Sequence, residues 1–399
     1  MKCSTPKLAA RIGVALSLLA GAVLNAHADV ISDWNIKAGE IVTESKLGTP
    51  PAIRAMAIVQ TAVHNAVSAI TPGASVEAAV AAANRAALAK LMPAQQASID
   101  SAYQAALAQV PEGPAKAAGI AVGESAAAAV FAQRANDKVA AVEAYRPHTS
   151  AGAYVPTAAP AAPQWAQRAP WLLTNPAQFR PGLPPALTSV AWAREYNEVR
   201  EIGSKGSTKR SVEQTEIARF WEYSAPQIYH GVVRSVAGQP GRDVTRNARL
   251  FAAVTQAMDD AMIGVFEAKY HYNFWRPATA IRNGDIDGNE ATQRDASWSP
   301  LVEAPMHPEY PSGHAILASA VGAVLKADVG DSRTPVLATT SPTAKGATRR
   351  WTSVDDFVRE VGDSRIYAGI HYRAAIDAGV TMGKQIGEAA VEKLLQTPH

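Results

Sequence analysis

Residues 307–321 read HPEYPSGHAILASAV, a short polar run that leads into an apolar one. The apolar part has helical spacing, which predicts a helix beginning at about Gly313. The residues before it place the Ser312 hydroxyl and free backbone N–H groups at the helix N-terminus, where anions bind. His314 then lies in the first turn, beside that anion. Taken alone, the run is better explained as an ordinary serine cap with an incidental histidine.

Two cations flank an aromatic run upstream, in the sequence KYHYNFWRP at residues 269–277. Lys269 and Arg276 are separated by six residues, so the pair can bracket a tetrahedral or bipyramidal oxyanion. Arg276 would supply a planar fork and Lys269 a point charge. Such pairs usually lie on solvated faces. The aromatic residues between them indicate that this segment is buried, where cations need anionic partners.

A third element, SRIYAGIHYR, occupies residues 364–373. The imidazole of His371 can donate a nitrogen to a phosphorus or vanadium centre, while Arg365 holds the equatorial oxygens. The three elements in this order indicate an oxyanion site far more specifically than any one of them does. Without such a site, each element would need a separate structural explanation. Together they predict a single oxyanion site.

The three elements resemble the signature of the superfamily that contains type 2 phosphatidic acid phosphatases, bacterial non-specific acid phosphatases and vanadium haloperoxidases. The runs FWRP, YPSGH and SRIYAGIHYR are more similar to bacterial haloperoxidases, and the resemblance spans about residues 255–380. It implies an enzyme that uses vanadate as its cofactor and hydrogen peroxide and halide as its substrates.

The same resemblance assigns roles to individual residues. The vanadate-binding set that it implies consists of Lys269, Arg276, Ser312, the Gly313 amide, Arg365 and His371. In this set His371 is the axial ligand to the metal, the vanadium of vanadate, or else the nucleophile that takes up a phosphoryl group. His314 is implied as the general acid or base, so the two catalytic residues are His314 and His371.

Two further residues are implied as supporting ones. Asp260, nine residues before Lys269, resembles an acidic residue that supports the pocket arginine, although a plain carboxylate on a helix surface is an equal alternative. His307, seven residues before His314, occupies a position near the halide, where a histidine favours bromide or iodide over chloride. The alternative for His307 is a loop histidine bonded to the backbone.

One position departs from the superfamily pattern. An aspartate four residues after the last histidine is usual, and this chain has Ala375 there. A carboxylate at that spacing orients the imidazole and stabilises its cationic form. Asp377 is close in sequence but faces elsewhere on a continuing helix, unless the helix start is shifted. The change therefore weakens the case for phosphoryl transfer through His371 more than the case for vanadate binding.

The rest of the chain predicts an all-α fold. Alanine-rich periodicity between Ala52 and Ala135 predicts several packed helices. Eight prolines between Arg146 and Pro185 forbid long helices, so this stretch is either a linker or a loop that wraps the second half. Further helices are predicted at about residues 188–202, 212–223, 247–268, 313–325, 354–362 and 375–395.

No segment alternates apolar and polar residues as strands do, so two packed helical bundles in one compact unit are expected. The predicted regions are a signal peptide (1–28), an N-terminal helical region (29–145), a proline-rich irregular segment (146–186) and a C-terminal catalytic region (187–399).

The first residues resemble a secretory signal, with a basic start, a short apolar run at residues 12–23 and small residues around Ala28. A membrane anchor is the alternative, but the run is shorter than the ~20 residues that a spanning helix needs. We expect cleavage near Ala28, a periplasmic or secreted location and no membrane span in the mature chain. The single cysteine, Cys3, lies inside this segment, which removes thiol and disulfide chemistry from the mature protein.

A formal net charge of +3 and the lack of a basic tract argue against a nucleic-acid partner. The leading function is a vanadate-dependent haloperoxidase. A periplasmic acid phosphatase that acts on phosphate monoesters through a phospho-histidine would use the same pocket. The third alternative is a non-catalytic oxyanion-binding protein. Homo-oligomers are possible for helical bundles of this type, although no interface is visible in the sequence.

Overall fold

The fold is taken from a computed structural model that describes residues 29–137, 144–330 and 333–396. The predicted signal peptide lies outside the described residues. The described α-helices are α1 (Val30–Glu44), α2 (Thr49–Ser68), α3 (Val76–Leu91), α4 (Gln96–Leu107), α5 (Pro114–Gln133), α6 (Val190–Ile202), α7 (Val212–Phe220), α8 (Pro226–Ala237), α9 (Val244–Tyr272), α10 (Pro277–Arg282), α11 (Gly313–Val329), α12 (Val354–Tyr367) and α13 (Arg373–Ala390). A π-helical turn, Val391–Leu395, continues α13.

The predicted all-α class is confirmed, with one exception in detail. Strands β1 (Leu337–Ser341) and β2 (Ala347–Trp351) form an antiparallel hairpin in which Leu337 pairs with Trp351. The prediction missed this hairpin because each strand has only five residues. In addition, β2 is mostly exposed and polar, so its sequence shows no alternation.

Helix α9 is the central element of the fold. It is longer than predicted, begins after the Asp243 cap and ends at Asn273, which adopts a left-handed conformation with φ of 48°. Most of its side chains are buried, and it packs against α2, α11 and α13. One apolar cluster runs through helices of both halves of the chain, so the halves share a core around α9.

The close packing of α11 and α13 depends on glycines spaced four apart on α13. A Cβ added at Gly379 would lie 2.7 Å from the Ser312 carbonyl oxygen, and one at Gly383 would lie 2.2 Å from that of Ile316. No larger residue fits without a shift of the backbone. This contact holds the N-terminus of α11 beside the start of α13. His371 lies just before the Tyr372 cap of α13.

The proline-rich segment wraps the second half of the molecule. The Tyr154 amide donates to the Asn273 carbonyl at 2.7 Å, and the Tyr310 hydroxyl donates to the Gly182 carbonyl at 2.9 Å. These hydrogen bonds favour the wrapping loop over the linker. The bounds of the predicted regions remain predictions.

Among the described helices, α5 is long and apolar enough to cross a membrane, by length and composition only. Helices in protein cores meet the same criterion. Gly119 and Gly123 of α5 pack directly against the backbone of α3 and of the residue that caps it, which accounts for the small side chains on that face.

Candidate oxyanion-binding site

The three sequence elements meet at one cavity of about 270 Å³. Six predicted site residues line it: Lys269, His307, Gly313, His314, Arg365 and His371. Arg276 and Ser312 lie directly behind this lining, where Arg276 contacts both His307 and His371. Ser312 is buried and caps α11, its hydroxyl accepting from the Ala315 amide at 3.5 Å.

Three buried cations surround the cavity, and each is held by backbone carbonyls. Lys269 donates to the carbonyls of Pro308 (3.0 Å) and Glu309 (2.8 Å). Arg276 donates to the Ile370 carbonyl at 2.8 Å, and Arg365 donates to that of Trp221 at 2.6 Å. The Arg365 Nε atom is buried without a hydrogen-bond partner.

Within the described parts of the chain, none of these cations has a carboxylate oxygen within 4.0 Å. Burial lowers the pKa of Arg276 and of Arg365 to about 10. Burial, followed by the nearby Arg276, lowers the pKa of Lys269 well below its ordinary value. Buried charges of one sign without a partner are costly, so this arrangement fits a bound anion that supplies the missing negative charge.

His371 lies in the turn between α12 and α13 and is 2% exposed. Its Nδ1 atom is 2.8 Å from Glu309 Oε1, and its Nε2 atom is 3.2 Å from Arg276 Nη1. Burial lowers the pKa of His371 well below its usual range, and the charge of Arg276 adds to this effect. A neutral imidazole with a carboxylate at Nδ1 and a guanidinium at Nε2 carries its proton on Nδ1. The Nε2 atom therefore carries a lone pair, which accepts from Arg276 in this structure and can bind an electrophilic centre in place of that contact.

Glu309 was not among the predicted site residues. Its side chain is fully buried, and Oε1 also accepts the Tyr372 amide at 2.9 Å. Burial raises the pKa of Glu309 to about 7, against the opposing charge of Arg276. An acidic residue between two prolines, in the loop that leads to Ser312, was the signal in the sequence.

Glu309 corrects the expectation drawn from Ala375. His371 has a carboxylate partner after all, and it comes from the loop before α11 instead of from α13. Asp377 does not take that role, because it is exposed and interacts electrostatically with Arg373 and other charged groups outside the site.

His314 stands in the first turn of α11, as predicted. One ring nitrogen hydrogen-bonds to the Trp221 backbone, while Nε2 is buried without a hydrogen-bond partner. Burial lowers the pKa of His314 well below its usual value, and the charge of Arg365 contributes. Because Nε2 belongs to a residue of the cavity lining, it is available for proton exchange with a bound group.

His307 lines the cavity beside Arg276 and the Pro308 backbone. Its Nδ1 atom lies 2.9 Å from Arg276 Nη2 and 3.2 Å from its neighbour's backbone oxygen, that of Pro308. The ring meets Phe266 edge-on at 5.3 Å between centroids. Arginine can only donate, so Nδ1 accepts from Arg276 and the proton lies on Nε2.

The prediction for Asp260 was wrong. Asp260 accepts the backbone amides of Trp171 (2.7 Å), Leu172 (2.8 Å) and Leu173 (3.0 Å), and it makes no hydrogen bond to a pocket arginine. Nine residues are two and a half helical turns, which place Asp260 on the face of α9 opposite to Lys269. The surface alternative also fails, because Asp260 is fully buried and burial raises its pKa to about 6.

Comparison with known proteins supports the resemblance to vanadium haloperoxidases. Residues 249–398 match the family model described as the VCPO second helical-bundle domain. Vanadium chloroperoxidase from Curvularia inaequalis is 30% identical over 172 residues, which amount to 35% of this chain and 28% of that protein. The chain thus spans less than a third of the length of this curated relative.

Solved structures extend the likeness over most of the chain. A bacterial vanadium-dependent iodoperoxidase has a TM-score of 0.79 and 25% identity, covering 92% of this chain and 96% of that one. An apo-type bacterial vanadium-dependent chloroperoxidase has a TM-score of 0.71 and covers 88% of this chain and 95% of that one. Its identity of 18% shows the shared fold alone. The predicted resemblance to vanadium haloperoxidases is confirmed.

Proposed function

We propose that this chain, which is similar in fold and in its second helical bundle to vanadium haloperoxidases, is a vanadate-dependent haloperoxidase that oxidises halide with hydrogen peroxide. One observation carries the proposal: among the described residues, three buried cations without carboxylate partners surround a neutral histidine whose unprotonated Nε2 atom faces the guanidinium of Arg276. This combination suits a metal oxyanion that needs both charge neutralisation and one nitrogen ligand.

The residues present fit vanadate. Its oxygens would be held by the charges of Lys269, Arg276 and Arg365. The Arg365 Nε atom, which is buried without a hydrogen-bond partner, can donate to one of these oxygens. The Gly313 backbone amide at the start of α11 would add a hydrogen bond, and the His371 Nε2 atom would ligate the metal. When bound, vanadate supplies Lewis-acid activation of peroxide towards halide.

The chain itself contributes proton control and a low-dielectric setting. His314 can move a proton through Nε2, because that atom has no competing partner. Apolar side chains complete the wall of the cavity: Met262, Val265, Phe266 and Leu317. They lower the local dielectric constant, so the charges of the site act more strongly than they would in water.

For the halide, we propose bromide or iodide rather than chloride. His307 lines the cavity, accepts from Arg276 and packs on Phe266. The likeness to a bacterial iodoperoxidase agrees with this preference. The proposed location remains periplasmic or secreted, and it rests on the sequence of residues 1–28.

The second candidate is an acid phosphatase. The contact between Glu309 and His371 favours it, because a carboxylate at Nδ1 also activates an imidazole nucleophile. Ala375 therefore no longer argues against phosphoryl transfer.

The test uses the purified protein with orthovanadate and hydrogen peroxide, and with iodide, bromide or chloride in turn. A phosphate-monoester assay and a His371→Ala variant accompany it. Vanadate-dependent halide oxidation that the variant loses supports the proposal. Phosphate release that vanadate inhibits, without halide oxidation, identifies a phosphatase instead. Oxyanion binding without either turnover identifies a binding protein.

A further inference from the structure

We propose that Glu309 is a positioning residue for His371, and that it takes over the task that an aspartate at position 375 performs in the wider superfamily. This inference rests on the proposed function for its ligand, vanadate. The relationship between Glu309 and His371 is nevertheless testable without any turnover, because it concerns the tautomer of an imidazole.

Glu309 is fixed in place through its own backbone. Its amide donates to the Phe274 carbonyl at 2.9 Å, and its carbonyl accepts from Lys269 Nζ at 2.8 Å. The same lysine also binds the carbonyl of Pro308 at 3.0 Å. The loop that carries the carboxylate is thus tied to α9 and to the residues that follow it, so Oε1 has a defined position relative to His371.

The carboxylate selects one tautomer of His371. Oε1 accepts both the His371 Nδ1–H at 2.8 Å and the Tyr372 amide at 2.9 Å. With the proton held on Nδ1, the Nε2 atom keeps the lone pair that a metal or phosphorus centre requires. Without this acceptor, the Arg276 guanidinium at 3.2 Å would be left to oppose a proton on Nε2, so a fraction of the imidazole would carry its proton there and could not act as a ligand.

Other nearby carboxylates are committed elsewhere. Glu195 is buried and accepts the Ala374 amide at 3.0 Å, and the exposed Asp377 interacts with Arg373. Among the described residues, Glu309 is the carboxylate in hydrogen-bond contact with His371. Partners of this kind typically contribute 10- to 100-fold in metal affinity.

Glu309→Gln is the variant that best separates the charge of the carboxylate from its role as a hydrogen-bond acceptor. Oε1 makes both hydrogen bonds, while Oε2 is buried without a hydrogen-bond partner, so the glutamine oxygen can replace Oε1 and its amide nitrogen Oε2. The variant therefore removes the charge and keeps the acceptor. Glu309→Ala removes both. Glu195→Gln is the matched control, because it neutralises another buried carboxylate, which lies on α6 and accepts the Ala374 amide in the first turn of α13.

Two measurements decide the proposal: the affinity of the apoprotein for orthovanadate by calorimetry, and the His371 tautomer by ¹⁵N NMR of histidine-labelled protein. For Glu309→Gln we expect the Nδ1–H tautomer to persist and binding to weaken by about 10-fold. For Glu309→Ala we expect a tautomer mixture and binding weaker by about 100-fold. Glu195→Gln should match the wild type in both measurements.

Wild-type affinity in Glu309→Gln, or an Nε2–H tautomer in the wild-type protein, would overturn the proposal. If Glu309→Ala does not fold, Glu309→Gln and the wild-type spectrum still decide it. Failure of the proposed function looks different: the wild-type protein would then not oxidise halide, or would not bind vanadate, while the tautomer measurement still tests Glu309.

Discussion

The Nη1 atom of Arg276 lies 3.2 Å from the Nε2 atom of His371, and its Nη2 atom lies 2.9 Å from the Nδ1 atom of His307. One planar guanidinium therefore orders two histidines that come from different parts of the chain. Because the nitrogens of a guanidinium stand in a rigid fork, lysine cannot reproduce both contacts.

Arg276→Lys should therefore weaken orthovanadate binding by about 10- to 100-fold, as expected for the loss of one charge-assisted hydrogen bond of about 1.5–3 kcal/mol. The measurement is the dissociation constant by calorimetry. Arg282→Lys, on the exposed side of α10, is the matched control and should bind as the wild type does. Equal affinity for all three proteins would show that the Arg276 fork plays no part in binding.

Orthovanadate should stabilise the folded protein, because it neutralises buried cations in the native state only. At a concentration of 100 times the dissociation constant, the expected gain is about 2.7 kcal/mol. Thermal unfolding followed by fluorescence should show a higher melting temperature, which dialysis against a vanadium-free buffer reverses. His371→Ala should show a smaller rise. No rise at saturating orthovanadate would contradict vanadate binding to the folded state.

The sequence predicted the site well where function depends on residues close in sequence. Lys269, Arg365 and His371 lie at one cavity because their motifs end or follow helices that meet there. Within such a motif the local geometry is fixed, so the sequence shows both the type of residue and its position relative to the helix end. The same holds for Gly313 and His314, which are set by the N-terminus of α11.

Partners that are distant in sequence could not be predicted in this way. The contact of Glu309 with His371 joins residues 62 positions apart, and it depends on how α11 packs against α13. Asp260 was misassigned because its spacing from Lys269 was taken from a resemblance, whereas helical geometry places the two on opposite faces of α9. The hairpin of β1 and β2 was missed because its strands are short and one is polar.

The α11–α13 contact predicts a large effect of one added methyl group. Gly383→Ala would place Cβ at 2.2 Å from the Ile316 carbonyl oxygen, so the helices must move apart. We expect the free energy of unfolding to fall by about 1–3 kcal/mol, the usual cost of overpacking. Urea denaturation measures this change. Gly206→Ala is the control, since a Cβ there meets no atom within 4 Å, and equal losses in both variants would contradict the role of the contact.

A buried histidine outside the site predicts the acid sensitivity of the fold. His230 is 1% exposed, and its Nδ1 atom lies 3.1 Å from Asn35 Nδ2, which can only donate. Burial lowers the pKa of His230 from 6.5 to about 3, and the charge of Arg234 adds to this effect. Between these two values the unfolded chain binds a proton that the folded chain excludes. The stability that neutral His230 contributes is therefore complete above pH 6.5 and is lost as the pH falls towards 3.

His230→Asn tests this directly, because the asparagine oxygen can accept from Asn35 and does not titrate. Below pH 6.5 the free energy of unfolding of the wild type should fall by about 1.4 kcal/mol per pH unit more than that of the variant. Urea denaturation of both proteins at pH 7 and at pH 4.5 measures the difference between the two slopes. Parallel pH profiles would mean that His230 stays neutral in both the folded and the unfolded states, or is protonated in both. Either result would contradict a buried imidazole that loses its proton on folding.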